Sequence, residues 1–161
     1  MAKKLNTTLP AIVEYLDNQP QRVFQPRELT QIVSAHADTW KVSANLSARQ
    51  YLEHLTREEA WFKRVILTSE HYPSITRYVW REVSPYALAL SIKPGAYLSH
   101  GSAVFLHGLN DQMPKTLYVN KEQSLKPSPK GELAQDAIDR AFANKQRRSR
   151  YVFVWGDTSI V

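Results

Sequence analysis

Residues 43–83, SANLSARQYLEHLTREEAWFKRVILTSEHYPSITRYVWREV, decide the fold of the N-terminal half of this chain. Four apolar residues in their first third repeat at the i, i+3, i+4, i+7 spacing, which predicts a helix over 44–57 with Ser43 as its N-cap. These four residues are Ala48, Tyr51, Leu52 and Leu55. Two runs rich in aromatic and β-branched residues follow, and the turn-forming cluster Ser69 to Ser74 separates them. This pattern predicts a β-hairpin directly after the helix.

Two further helices are predicted upstream of this stretch. The segment TTLPAIVEYLDNQ carries an apolar stripe at helical spacing, with Thr7 or Thr8 as N-cap and Pro20 beyond the end. In QPRELTQIVSAH, Pro26 stands where a first helical residue is favoured, and the apolar spacing repeats behind it. Three short helices followed by a hairpin are typical of a winged helix-turn-helix, so residues 1–83 are predicted to form such a DNA-binding domain.

In a winged helix-turn-helix the third helix enters the major groove, and its polar face supplies the candidate DNA contacts. Arginine pairs with guanine, and glutamine or asparagine pairs with adenine, while hairpin cations contact phosphates and position the protein. A solvated helix face is the ordinary alternative for such residues. The predicted DNA-binding residues are Ser43, Asn45, Ser47, Arg49, Gln50, Arg57, Lys63, Arg64 and Arg77.

The second half, residues 84–161, is predicted to be a separate α+β domain. Ser84 and Pro85 interrupt the second hairpin strand, and YALALSIKPG then indicates a short helix. A second helix is expected from a cap at Ser99 to His107, with Gly108 as its left-handed end. The runs LYVN and YVFVW predict strands on either side of a polar loop and a helix over GELAQDAIDRAFANK. The whole chain is therefore predicted to have an α+β fold.

Two sets of apolar residues in this half are expected to face inward, because an apolar helix must bury one face. The first set comprises Tyr97, Leu98, Val104, Phe105, Leu106 and Leu109. The second set, on the late helix, comprises Leu133, Ala137, Ile138 and Ala141.

Charge and composition restrict the classes of partner. The chain has 161 residues, a formal net charge of +6 and no cysteine. An excess of cations favours a polyanion such as nucleic acid, although mild basicity also serves solubility alone. The lack of cysteine excludes disulfides and thiolate chemistry. No apolar run approaches the ~20 residues of a membrane span, so we expect a cytoplasmic protein without a membrane partner.

The stretch GAYLSHGSAVFLHGLNDQMPKTLYVN at 95–120 and the phrase IDRAFANKQRRSRYVF at 138–153 carry a family resemblance. They resemble the AbiEi family of antitoxins from type IV toxin-antitoxin (abortive infection) systems. By order of elements the resemblance extends over essentially the whole chain, and its motifs are specific at 97–119 and 138–153. Family members continue with more sheet beyond the point that corresponds to Val161, so the chain is expected to be either a fragment with an incomplete C-terminal domain or a short branch of the family. They also have a more compact, glycine-containing wing.

The resemblance implies a bacterial regulator in phage defence, with an N-terminal winged helix and a C-terminal antitoxin domain. Such a protein binds double-stranded operator repeats in its own promoter, represses the operon and counters a nucleotidyltransferase-like toxin without needing direct contact. In the C-terminal half, the turn residues Asp111 and Gln112 are the predicted antitoxin surface, although an Asp capping its own turn is the ordinary interpretation. A possible second basic patch, for nucleic acid or for favourable charge at a helix end, comprises Lys145, Arg147, Arg148 and Arg150.

An enzyme and a protein-binding adaptor are the competing functional classes. The sequence contains no P-loop, G-x-S-x-G or H-E-x-x-H motif. Among enzymes, a metal-dependent nuclease with a winged-helix targeting domain is the alternative that stays open. His100 and His107 are seven residues apart, whereas two-histidine zinc helices use an i, i+4 spacing. A non-catalytic adaptor remains because a winged helix can bind protein through the same helix. The sequence therefore predicts no catalytic residue, no metal and no cofactor.

Overall fold

The computed structural model describes residues 9–42, 47–57, 62–122, 134–143 and 149–161. The described part is an α+β fold with six helices and two sheets, which confirms the predicted fold class at that level. The helices are α1 Leu9–Asp17, α2 Pro26–Ala35, α3 Ala48–Arg57, α4 Pro85–Leu90, α5 His100–Leu106 and α6 Gln135–Ala143. The strands are β1 Val23–Phe24, β2 Phe62–Leu67, β3 Ile75–Trp80, β4 Ala96–Ser99, β5 Thr116–Lys121, β6 Phe153–Trp155 and β7 Thr158–Ile160.

The first sheet is a three-stranded antiparallel sheet in the order β1-β3-β2. Its register places Phe62 opposite Trp80, and these side chains lie with Phe24 against the first core, beneath α1, α2 and α3. Residues of a strand alternate between the two faces of a sheet. Val65 and Val79 therefore point away from the helices, into a second core.

The second sheet has four strands in the order β4-β5-β7-β6, with β5 and β7 parallel and the other pairs antiparallel. Its inner face joins α4 in the second core, where Leu88, Leu117 and Phe153 are at most 1% exposed. This core also contains Val65, Leu67 and Val79 of the hairpin. The hairpin therefore lies between two apolar clusters, and each of its faces packs against one of them. The predicted domain boundary at residue 83 stays a prediction, but residues on both sides of it contribute to one core.

One isolated bridge connects the two sheets. The amide of Thr68 donates to the carbonyl of Val154 at 3.1 Å, and the amide of Val154 donates back to Thr68 at 2.8 Å. The bridge lies where β2 ends and β6 runs past it. Each of these outer strands therefore covers part of the edge of the other sheet.

The helices predicted from apolar spacing and the hairpin are confirmed in the described residues. Three strands were not predicted, namely β1, β4 and β7. Gly108 has a φ of +68°, which confirms the predicted left-handed end after α5. Ser99 stands at the N-cap of α5, but its hydroxyl contacts His100 and Asn120 rather than a helix amide. The predicted caps Thr7, Thr8 and Ser43 lie outside the described residues.

Several residues predicted to be core are exposed. Tyr97 is 50%, Val104 39%, Leu106 54% and Leu109 76% exposed, so their predicted burial was wrong. Leu98 packs against the second core, and Phe105 is partly buried beside the ring of Tyr86. The physical reason is that 96–99 form a strand, where Tyr97 and Leu98 point to opposite faces, and that α5 buries only a narrow stripe.

The late helix, α6, also differs from its predicted packing. None of its described residues is buried, Ala137 and Ala141 are exposed, and Ile138 is partly buried. Leu133 lies outside the described residues. Among the described helices, none has the length and apolar character that a membrane crossing requires.

Candidate nucleic-acid interface

Helix α3 begins with a reciprocal pair of hydrogen bonds between Ser47 and Gln50. The amide of Ser47 donates to Gln50 Oε1 at 2.9 Å, and the amide of Gln50 donates to Ser47 Oγ at 3.3 Å. The Ser47 hydroxyl also donates to Gln50 Oε1 at 2.9 Å. This arrangement is a capping box, which satisfies two backbone amides at the helix start. Two predicted base-contacting residues therefore also cap the helix, and Gln50 must exchange an internal bond to use its oxygen on a base.

After this capping box, α3 has one buried face and one exposed face. Tyr51, Leu52 and Leu55 are at most 4% exposed and hold the helix against α2 and the start of β2. The Arg49 side chain is 86% exposed, and its Nε lies 3.6 Å from Glu53 Oε1, one helical turn further on. An exposed i, i+4 pair contributes little stability, so a phosphate or base can replace Glu53 as the partner of Arg49 at small cost.

The structure gives less information on three other predicted DNA contacts on or near α3. Arg57 is the last residue of α3, but only its backbone belongs to the part of the chain that the structure describes. Ser43 and Asn45 also lie outside the described residues.

Lys63 and Arg64, the two cations of β2, are both exposed but point to opposite faces of the sheet. Arg64 pairs with Tyr78 on the face that also carries Phe62, which is the side occupied by the helices. Lys63 pairs with Val79 on the face of the second core. Only Arg64 is therefore on the same side of the hairpin as α3.

Arg77 is buried rather than available to a phosphate. It is 6% exposed, and its Nη2 donates to the carbonyl of Ser91 at 2.7 Å while its Nη1 donates to the carbonyl of Thr76 at 2.9 Å. Its Nε also lies 3.2 Å from both the carbonyl and the hydroxyl oxygen of Ser91. Burial lowers the pKa of the Arg77 guanidinium below its ordinary value. The predicted phosphate contact was wrong, because this side chain ties β3 to the C-terminal end of α4.

The alternation of side chains along β3 could have predicted that Arg77 is buried. Arg77 lies between Ile75 and Val79, which are two residues away on either side and share its face of the strand. A residue flanked in this way points toward the core that its neighbours occupy. The guanidinium then requires acceptors there, and carbonyls at a helix end provide them.

The tip of the hairpin packs against the C-terminal segment. The Tyr72 ring lies 5.1 Å from that of Tyr151 and 6.4 Å from that of Phe153. Beside them is a groove of about 660 Å³, whose lining includes His71 and Arg150. Arg150 of the predicted second basic patch is exposed here, while Lys145, Arg147 and Arg148 lie outside the described residues. The Tyr72 ring thus contacts the protein's own C-terminal segment, while residues 70–74 at the tip remain exposed.

The predicted antitoxin residues, Asp111 and Gln112, are exposed in the turn that follows α5. The side chain that caps this turn belongs to Asn110, whose Oδ1 accepts from the amide of Gln112 at 2.9 Å. The turn is therefore stabilised without the carboxylate of Asp111, which faces solvent. Throughout the described ranges, no group of three or more His, Asp or Glu side chains is arranged to hold a metal ion.

Comparisons of the chain with protein-family models, with curated proteins and with solved structures found no match.

Proposed function

We propose that this protein is a DNA-binding transcriptional regulator that recognises its operator through α3. Support comes from the order of elements, α1-β1-α2-α3-β2-β3, and from the strand order β1-β3-β2. This order is typical of winged helices, in which the third helix packs on the second and presents its outer face to the major groove.

The observation that carries the proposal is the exposed polar start of α3. Ser47, Arg49 and Gln50 are all exposed there, and the main packing partners of α3 are α2 and β2, on its other side. Recognition helices use their N-terminal residues on base edges, and arginine and glutamine are suited to guanine and adenine respectively. The formal net charge of +6 adds a salt-dependent attraction to the phosphate backbone. The protein therefore acts by occupying DNA, with Arg64 as a backbone contact beside α3.

The test is a salt-titrated mobility shift with the upstream DNA of the operon and with a scrambled duplex. Arg49→Ala should weaken operator binding by about 10- to 100-fold and reduce the preference for the operator, because one bidentate base contact is worth ~1–3 kcal/mol. Arg140→Ala is the matched control, since Arg140 is also an exposed helical arginine with an i, i+4 carboxylate partner, Asp136, at 3.0 Å.

Equal affinity of wild type and Arg49→Ala for the operator would contradict the role of α3. Equal losses in Arg49→Ala and Arg140→Ala would indicate that net charge alone matters. Failure of the wild type to shift any duplex at low salt would favour the protein-binding adaptor.

We further propose that the regulator is an antitoxin, and this step rests on the resemblance of residues 97–119 and 138–153 to the AbiEi family. Asp111 and Gln112 are the surface residues proposed to serve it, since neither side chain is needed to cap the turn they occupy. The double variant Asp111→Ala with Gln112→Ala should lose rescue of cells that express the toxin encoded beside this gene. Glu122→Ala, an exposed change at the end of β5, is the control. Full rescue by the double variant would remove these residues from the proposal.

A further inference from the structure

We infer that Glu53 is a specificity-determining residue of α3, whose carboxylate accepts a hydrogen bond from the amino group of a cytosine in the operator. This inference rests on the proposed DNA-binding function and adds a second kind of base contact to it. The Glu53 side chain is 47% exposed, and its Oε1 lies 3.6 Å from Arg49 Nε. The carboxylate therefore belongs to the surface of α3 that is proposed to meet the DNA.

Glu53 points away from the body of the protein. Successive helical residues are rotated by about 100°, and Tyr51, Leu52 and Leu55 define the buried face of α3. With this rotation, Glu53 and Gln50 lie about 150° from the middle of the buried face, one on either side of the outward direction. A recognition helix inserts its outward side chains into the major groove, where the base edges are exposed. Glu53 therefore faces base edges.

A carboxylate in this position requires a hydrogen-bond donor. When Arg49 turns to a guanine, it gives up its exposed ion pair with Glu53, and such a pair is weak enough for this exchange. The carboxylate then lies in the groove with fewer water molecules around it. A charged group that loses water without gaining a partner destabilises the complex. A duplex that supplies a donor to Glu53 is therefore favoured over one that does not.

Among the four bases, cytosine is the best partner for a group that can only accept. A carboxylate has two acceptor oxygens and no proton to donate. In the major groove guanine presents two acceptors, thymine presents an acceptor and a methyl group, and adenine presents its amino donor beside the N7 acceptor. Cytosine presents an amino donor and no acceptor, so its edge repels neither oxygen of Glu53. The chemistry of the side chain thus selects the base.

The separation of Arg49 and Glu53 along α3 determines the spacing of the two bases. Four helical residues rise about 6 Å, which is more than the ~3.4 Å between successive base pairs. The cytosine therefore lies one or two base pairs from the guanine that Arg49 contacts. A duplex in which the two bases are exchanged is rejected, because Arg49 would meet an amino donor and Glu53 would meet two acceptors.

The test is selection of bound duplexes from a random pool by the full chain, followed by affinity measurements on the selected duplex and on a scrambled one. Wild type should select a guanine and, one or two base pairs away, a cytosine. Glu53→Ala should keep the guanine preference, lose the cytosine preference and bind the selected duplex about tenfold more weakly. Its affinity for scrambled DNA should rise about twofold or more, because a negative charge near the phosphates has been removed.

Glu53→Gln tests the chemistry of the contact, since it keeps the shape of the side chain and replaces a pure acceptor with an amide that also donates. At the cytosine position this variant should select adenine, whose N6 and N7 suit glutamine.

Asp136→Ala is the matched control, because it also removes an exposed carboxylate from an i, i+4 pair with an arginine, Arg140, at 3.0 Å. It should leave both base preferences unchanged, together with the ratio of the affinities for selected and scrambled DNA. Circular dichroism checks that all three variants are folded.

Four outcomes would overturn the inference and leave the proposed function in place. Wild type that selects a guanine without a cytosine is the first. Equally tighter binding of Glu53→Ala to both duplexes would show that Glu53 only repels DNA. Loss of the guanine preference in Glu53→Ala would mean that Glu53 only positions Arg49, and a surviving cytosine preference would assign that base to another residue. Wild type that selects no sequence would overturn the proposed function as well.

Discussion

Helix α3 and the β2–β3 hairpin follow one another in the chain, and both carry the cations that suggested DNA binding, yet their surroundings differ. Helix α3 buries one face and leaves Arg49 86% exposed. The hairpin is packed on both faces, with Phe62 in the first core, Val65 in the second and Arg77 bound to Ser91. The comparison teaches that the number of cations in a segment does not identify a DNA interface. A buried cation such as Arg77 forms hydrogen bonds within the protein and is not available to a phosphate.

The largest effect should come from removing residues 84–161. The remaining hairpin would expose Val65, Leu67 and Val79, which are at most 3% exposed in the full chain. Burial of each such side chain stabilises the fold by roughly 1.5–3 kcal/mol, and a domain has only ~5–15 kcal/mol to lose. We expect residues 1–83 to show no cooperative urea transition, whereas the full chain shows one. A cooperative fragment that binds DNA normally would show that the hairpin does not depend on the second core.

Arg77→Ala should give the next largest effect, as a loss of stability rather than of DNA contact. The change leaves the partly buried Ser91 carbonyl without its guanidinium donor, which costs about 1–3 kcal/mol. Urea denaturation should show this loss, and the mobility shift under native conditions should stay near that of the wild type. Arg49→Ala should show the reverse, with unchanged stability and weakened binding. A large binding defect in stable Arg77→Ala would restore Arg77 to the interface.

The opposite orientations of Lys63 and Arg64 predict different, smaller losses of affinity. Arg64→Ala should weaken binding to operator and scrambled DNA alike and reduce the salt slope by about one unit, as expected for a phosphate contact. Lys63→Ala should change the slope much less, because Lys63 points to the other face of the sheet. Equal slopes for the two variants would mean that the DNA meets the hairpin along its edge instead of on the helix side.

The smallest effect concerns pH and Asp17, at the end of α1. Asp17 accepts from Trp80 Nε1 at 2.8 Å and from Arg81 Nε at 2.8 Å, and these bonds hold its pKa below the ordinary value of 3.8. A depressed carboxyl pKa contributes stability that is present above pH 3.8 and is lost as pH falls through the folded-state pKa. Asp17→Asn should therefore be less stable than wild type at pH 7, and the difference in urea midpoint should shrink as the solution is acidified. A difference that does not depend on pH would exclude the carboxylate charge as its origin.

Local patterns were sufficient to predict the longer elements. The spacing of Leu29, Ile32 and Val33 indicates a helix because three or four residues separate neighbours on one helical face. Pro26 and Gly108 mark helix ends through their own backbone preferences, which need no distant partner. The hairpin is equally local, since its two strands pair across one turn. These features depend on contacts between residues close together in the sequence.

The short strands and the internal contacts of the candidate interface could not be predicted from local sequence patterns. Strand β1 has two residues and is defined by Val23–Val79 and Phe24–Tyr78, pairs that are more than fifty positions apart. The sequence pattern assigns no strand to residues 96–98, which precede the predicted cap at Ser99, and the pairing of β4 with β5 places Tyr97 outside. Neither strand is long enough for its alternation to be distinguished from a helical stripe.

The sequence by itself determined the α+β class, the three N-terminal helices, the hairpin and the polar start of α3, because helix periodicity, capping residues and turn residues act over a few positions. Alternation along β3 already places Arg77 on the same face as Ile75 and Val79, whereas Arg49 lies in the polar segment at the start of α3. Only the tertiary structure decided what Arg77 meets on that face, namely a core with residues from both halves of the chain and the Ser91 carbonyl as acceptor. Long-range packing removes Arg77 from solvent and leaves Arg49 there.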